Sequence, residues 1–176
     1  MLELLHRPCP NKSDGGGVVA RREGIDNRGM DENRPFWEYK RLDQLTAQEW
    51  EQLCDRCGRC CLHKFEEADG RLRFTRVACR LLDPATGTCR DYPNRRRHVP
   101  DCLQLAEDPD TYLQWLPASC AYRRLHEGRG LAWWHPLVSG RAETVREAGI
   151  SVAGRVVSEE GVPEAELEAH VIRWIR

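Results

Sequence analysis

Apolar positions along the chain come in short runs, and the period changes from one run to the next. Residues 11–34, "NKSDGGGVVARREGIDNRGMDENR", have no apolar period and are rich in Gly, Asn and charge. That pattern predicts a disordered N-terminal extension over 1–33, followed by one folded domain over 34–176. Met30 stands just before the first aromatic cluster, "PFWEYKRL", and is a candidate natural start. Thr46 with Glu49 three residues on forms a capping-box signature. It predicts a helix whose face carries Trp50, Leu53, Cys54 and Cys57. Asp69-Gly70 between two apolar runs predicts a hairpin, with partial alternation at Leu72, Phe74 and Val77.

Further on, "DPATGTC" (83–89) reads as a turn, and the prolines of "RDYPNRRRHVPDC" (90–102) predict irregular chain. Two short helices are expected either side of Pro117, the second stopping near Gly128. "WWHPL" (133–137) reads as extended or turn-like before its proline. A short helix near 140–148, a strand near 150–157 and a helix from Pro163 to Ile175 complete the pattern. In that last helix Leu167, Val171, Trp174 and Ile175 would share one stripe. The class expected is α+β: a small, irregular, helix-weighted domain with a short β-hairpin.

Composition narrows this. A chain of 176 residues that is 40% apolar and 31% charged can bury only a thin core, helped by six tryptophans. The net charge of −1 provides no field for nucleic acid or anionic membrane, so nucleic acid is not an expected partner. No stretch reaches the length of a membrane span, and "MLELLHRPCPNKSDGGG" lacks the long apolar run of a secretory signal. The compartment expected is the cytosol, where clustered thiols serve as metal ligands or redox groups.

Nine cysteines are present, and eight fall between 54 and 120: Cys54, Cys57, Cys60, Cys61, Cys79, Cys89, Cys102 and Cys120. Cys9 lies in the head. Deprotonated sulfur is polarisable and binds zinc or iron. The pair Cys54-x-x-Cys57 is a common half of a tetrahedral zinc site, relaxed by Gly58. The run C-x2-C-x2-C also matches the opening of an iron–sulfur ligand set, but Cys61 follows Cys60 directly. Neighbours on a helix point about 100° apart, so these two cannot easily chelate one ion. They are expected to serve two metals, or two irons of one cluster, with the eight thiols divided into two sets of four.

The words "CDRCGRCCLHK", "FTRVACRLLD", "CRDYPNRR", "PDCLQL", "WLPASCAYRRL", "WWHPL" and "ISVAGRVV" occur in this order. From about Pro35 to Ile175 the chain resembles the YcgN family of bacterial cysteine-cluster proteins, within the wider CxxCxxCC class described as zinc- or iron-chelating. The resemblance implies that all eight cysteines between 54 and 120 are metal ligands. A related branch includes flagellin lysine N-methylase, but no methyl-donor motif is found here and that activity is not carried over.

His63 is read as a surface residue in preference to a ligand, and His135 as a packing residue. Asp55, Asp91 and Asp101 are read as turn or surface groups, and "NRRRH" (94–98) as a solvated loop. No G-x-S-x-G, Walker A or dinucleotide fingerprint is present. The function expected is zinc or iron binding, with the reaction, if any, unassigned. The rivals are an iron–sulfur protein in electron transfer or protein modification, a thiol redox protein, and a zinc-ribbon-like nucleic-acid module.

Overall fold

The Asp69-Gly70 signal sits at the tip of the main hairpin. In a computed structural model, which describes residues 3–5 and 34–175, strands β2 (Leu62–Glu66) and β3 (Leu72–Ala78) run antiparallel on either side of it. Gly70 supplies the left-handed backbone (φ 79°), and the Asp69 carboxylate accepts the Arg71 N–H at 3.0 Å. β1 (Glu3–Leu5) pairs antiparallel with β2, and β4 (Val157–Ser158) pairs parallel with β3, giving the order β1-β2-β3-β4. β1 falls within the segment expected to lack structure and joins the sheet instead. Residues 6–33 lie outside the described residues, and so do Cys9, Met30 and the rest of the expected extension.

The hairpin register shifts between Leu62 and Lys64, where Lys64 faces Phe74 but Leu62 faces Ala78. Thr75 sits in that irregularity, fully buried. Its hydroxyl donates to the His63 carbonyl (3.0 Å) and accepts from the Val77 N–H (3.1 Å), so no polar group there is orphaned. Apolar side chains pack against both faces of the hairpin. One cluster holds Leu62, Phe74, Ala78, Leu82, Val152, Val156 and Ile175, and another holds Phe65, Val77 and Leu167.

A separate helical core forms from Leu42, Leu53, Leu113, Leu116, Ala121 and Tyr122. It draws on α1 (Ala47–Gln52) and on α4 (Ala121–His126), with α2 (Arg95–His98) and α3 (Pro109–Tyr112) between them in sequence. The capping box is present: Thr46 accepts the Glu49 N–H, and the Glu49 carboxylate accepts the Thr46 N–H at 2.8 Å. α3 and α4 flank Pro117 as expected, and Gly128 follows α4 with φ 71°. α6 (Thr144–Glu147) falls within the expected 140–148 helix, while α5 (Pro136–Ser139), ended by left-handed Gly140, precedes it and starts at the proline of "WWHPL". The domain is α+β and irregular: α1 precedes β2, and α2 to α6 fall between β3 and β4 in sequence. Among the described residues, no helix is long and apolar enough to cross a membrane.

Three expectations change. α1 stops at Gln52, so Cys54 and Cys57 lie on irregular chain and do not share a helical face with Trp50. The expected strand near 150–157 shrinks to Val157–Ser158, because Gly154 (φ 73°) turns the chain just before it. The C-terminal helix is a 3-10 segment, Glu164–His170, followed by extended chain. Val171 bridges Thr75 and the Ile172 N–H donates to the Phe74 carbonyl at 2.8 Å. Backbone partners on β3 thus replace the last helical turns. Leu167 and Val171 join one apolar cluster, and Ile172, Trp174 and Ile175 join the other.

Candidate metal centre

The loop after α1 is built by local chemistry and then clamped from outside. The Asp55 carboxylate, buried, accepts the Cys57 N–H at 3.1 Å and closes a tight turn. Arg56 (φ 55°) and Gly58 (φ 76°) both take left-handed backbone. Gly58 has a second constraint: a Cβ there would stand 2.6 Å from Val152 Cγ2 and 2.7 Å from the Gly87 carbonyl. Val152 also donates its N–H to the Cys57 carbonyl at 2.9 Å. Below the loop the buried Arg59 guanidinium donates to the Ile150 carbonyl (2.7 Å), the Ser119 hydroxyl (3.0 Å) and the Gly149 carbonyl (3.2 Å). A 3-10 turn, Arg59–Cys61, then leads into β2 and leaves the Cys60 and Cys61 sulfurs 3.9 Å apart.

The other four cysteines arrive on separate loops. The Cys79 N–H, just past β3, donates to the Cys61 carbonyl at 3.0 Å. Cys89 is bridged to Leu82 across the "DPATGTC" turn. The Cys102 N–H donates to the Val99 carbonyl at 3.0 Å, and Cys120 caps α4. All eight line one cavity of about 170 Å³, with Trp50, Leu81, Leu103, Leu105, Leu116 and Tyr122 among its apolar walls. Among the described residues these eight cysteines are not joined in disulfides. Nor are any three Cys, His, Asp or Glu side chains among them gathered closely enough about one point to hold an ion as they stand. The sulfurs share a chamber but are not drawn onto one centre.

Burial pushes the thiols of Cys54 and Cys57 well up and that of Cys120 up to about 12, with the Cys60 sulfur and Asp55 adding repulsion. Backbone N–H groups of Arg56, Arg59 and Arg123 act in the opposite sense and are outweighed. Buried sulfur without a cation is therefore neutral, and a metal ion would reverse that balance. The donor set suits a soft or borderline metal: polarisable sulfur, apolar walls, and backbone donors already aimed at it.

Of the remaining candidates, His63, His135, Asp91 and Asp101 do not line the chamber. His63 donates to Glu159 at 2.5 Å. His135 is buried, donates from Nε2 to the Leu53 carbonyl (3.0 Å) and accepts the Leu137 N–H at Nδ1 (3.1 Å), so both ring nitrogens are used. Desolvation holds its pKa below the usual histidine value, in keeping with a neutral ring. Asp91 binds Asn94 and His98, and Asp101 is exposed. The "NRRRH" run forms α2, and its Arg95 guanidinium stacks 3.9 Å from the Tyr92 ring, both residues lining the chamber. Sequence reasoning missed the Arg59 anchor and the clamp by Gly87 and Val152. Neither has a local signal, because their partners lie far along the chain.

A family model described as "Putative zinc- or iron-chelating domain", the CxxCxxCC family, matches residues 53–121, the span of all eight chamber cysteines. A UPF0260 protein of Allorhizobium ampelinum is 54% identical over 143 residues, 81% of this chain and 90% of the relative. Another, from Gluconacetobacter diazotrophicus, is 55% identical over 146 residues, 82% of this chain and 90% of the relative. A third, from Azotobacter vinelandii, is 56% identical over 139 residues, 78% and 93% of the two chains. No solved structure matches the chain. With nine-tenths of such relatives covered at more than half identity, the chain belongs to the UPF0260 family of CxxCxxCC proteins.

Proposed function

We propose that this protein binds zinc or iron through the thiols of Cys54, Cys57, Cys60, Cys61, Cys79, Cys89, Cys102 and Cys120. The observation that carries the reading is the single chamber: eight sulfurs from five separate stretches of chain line one apolar-walled cavity. The thiols divide into two groups. Cys54, Cys57, Cys60 and Cys120 act on one another electrostatically, and three of them pack against the helical core. Cys61 packs against the hairpin core, and Cys79 and Cys89 are tied to it and to the following turn. With Cys102 these make a second set of four. Cys60 and Cys61 then face two adjacent ions, or two edges of one cluster.

A bound metal would contribute folding free energy, on the order of 10 kcal/mol for a structural zinc site, or an electron-accepting centre if it is iron–sulfur. The chain's own residues do the rest. Asp55 and the backbone N–H groups orient the sulfurs, Arg59 anchors the loop from below, and Trp50, Leu116 and Tyr122 keep water out. Thiol redox cycling is disfavoured, since reactive thiols need a depressed pKa and three of these are raised.

Protein purified without oxygen, analysed for zinc, iron and acid-labile sulfide and scanned from 300 to 700 nm, tests the proposal. Broad absorbance near 400 nm (roughly where sulfide-to-iron charge transfer falls) with iron and sulfide present selects the cluster. A colourless protein containing zinc selects the ion. Native material with neither metal ends the reading.

A further inference from the structure

We infer that the outer face of the cysteine loop carries a second site, for a small oxyanion-bearing molecule held by Arg56 and Arg146. A cleft of about 500 Å³ lies on the side of the loop away from the chamber, in the size range of small-molecule sites. Cys54 and Asp55 line both spaces, so the loop is the shared wall. Thr86, Thr88 and Ser151 also line the cleft; the two threonine hydroxyls are hydrogen-bonded to each other at 2.8 Å, and Ser151 Oγ accepts the Ala153 N–H at 3.2 Å.

The charges in this cleft are unevenly committed. Of its carboxylates, Asp55 is bonded to the Cys57 N–H, Glu51 takes the Tyr92 hydroxyl at 3.4 Å, and Glu143 pairs with Arg141 at 3.8 Å. Neither the Arg56 nor the Arg146 guanidinium makes a side-chain hydrogen bond or ion pair to any of the described residues. Two uncommitted guanidinium groups beside hydroxyl groups match a carboxylate or phosphate group, which guanidinium binds bidentately.

Arg56 adds an independent observation. It is the one non-glycine with positive φ among the described residues. Left-handed backbone is strained for a residue that carries a side chain, and glycine would hold the same turn without that strain, as Gly58 does two residues later. A strained residue that carries a charged side chain into a cleft points to use of that side chain. Arg56 also lies between Cys54 and Cys57, so a ligand held there stands against the wall of the sulfur chamber. The inference does not rest on metal binding.

The test uses the full chain as purified, titrated calorimetrically at constant ionic strength with inorganic phosphate and, separately, with succinate. Saturable one-site binding of phosphate alone assigns a phosphate-bearing ligand; binding of succinate, alone or as well, assigns carboxylate chemistry. Arg146→Gln lies outside the cysteine loop and weakens binding at least tenfold. Arg56→Gly keeps the left-handed turn, removes the guanidinium and does the same, with metal content measured on both. Absence of saturable binding of either probe, or a variant that binds as tightly as the unaltered protein, overturns the inference.

Discussion

Substituting Gly58→Ala tests the clamp on the cysteine loop, and Gly70 provides a built-in control. Both glycines are left-handed, with φ of 76° and 79°. An alanine at either position therefore bears the same backbone cost, about 1–2 kcal/mol. They differ in what a Cβ would meet: nothing within 4 Å at Gly70, but Val152 Cγ2 at 2.6 Å and the Gly87 carbonyl at 2.7 Å at Gly58. One of those atoms is backbone, and the other belongs to a fully buried valine whose N–H is bonded to the Cys57 carbonyl. Neither can give way cheaply, and overpacking of this kind costs about 1–3 kcal/mol more. Gly58→Ala should thus lose about 2–5 kcal/mol, a large part of the roughly 5–15 kcal/mol that holds a domain together. Gly70→Ala should lose only the backbone share. Urea titrations of both variants, with chelator and again after metal loading, separate the two costs. Gly58→Ala should also retain less metal, since the loop must lift from Val152 and Gly87. Equal destabilisation by the two substitutions would refute the clamp.

Further outcomes follow from the same geometry. Cys60→Ser and Cys61→Ser should each lower metal per chain by a part and not the whole, read by elemental analysis; an unchanged ratio contradicts two facing sets. Apo protein should lose stability as pH rises from the ordinary thiol value near 9 towards about 12, because the folded state holds protons on Cys54, Cys57 and Cys120 that the unfolded chain releases. Metal-loaded protein should be flat across that window and release metal as acid reprotonates the sulfurs; urea midpoints against pH, with and without chelator, check both. Arg59→Leu should cost about 1–3 kcal/mol for each buried acceptor it leaves unpaired, less whatever the new apolar packing returns, and Arg59→Lys should not restore stability, because an ammonium cannot span the three acceptors the guanidinium holds. His135→Ala should cost about 1–3 kcal/mol through two lost hydrogen bonds while leaving metal content unchanged, which separates it from the sulfur ligands.

The legible parts of this protein are those written within a few residues. Thr46 and Glu49 cap a helix because their side chains reach backbone donors three residues away, and Asp69-Gly70 turns a hairpin because Gly accepts φ near 80°. The number and crowding of cysteines announce soft-metal chemistry wherever they sit. Reasoning about the phase of Cys54 and Cys57 failed because it assumed that the helix runs on past Gln52. The actual path is set by Asp55, by left-handed Arg56 and Gly58, and by Val152, almost a hundred positions downstream.

Sequence by itself thus determined the concentration of thiols between 54 and 120, the hairpin and the first helix. Tertiary structure alone decided that Cys79, Cys89, Cys102 and Cys120 reach the chamber wall, that Arg59 supports the loop, and that the C-terminal segment unwinds to pair with β3. The reason is range. Caps and turns are satisfied by neighbours and leave a local pattern, whereas a chamber lined by residues from Trp50 to Tyr122, on a loop held by Val152, depends on which distant surfaces pack together, and no short window of the chain records that.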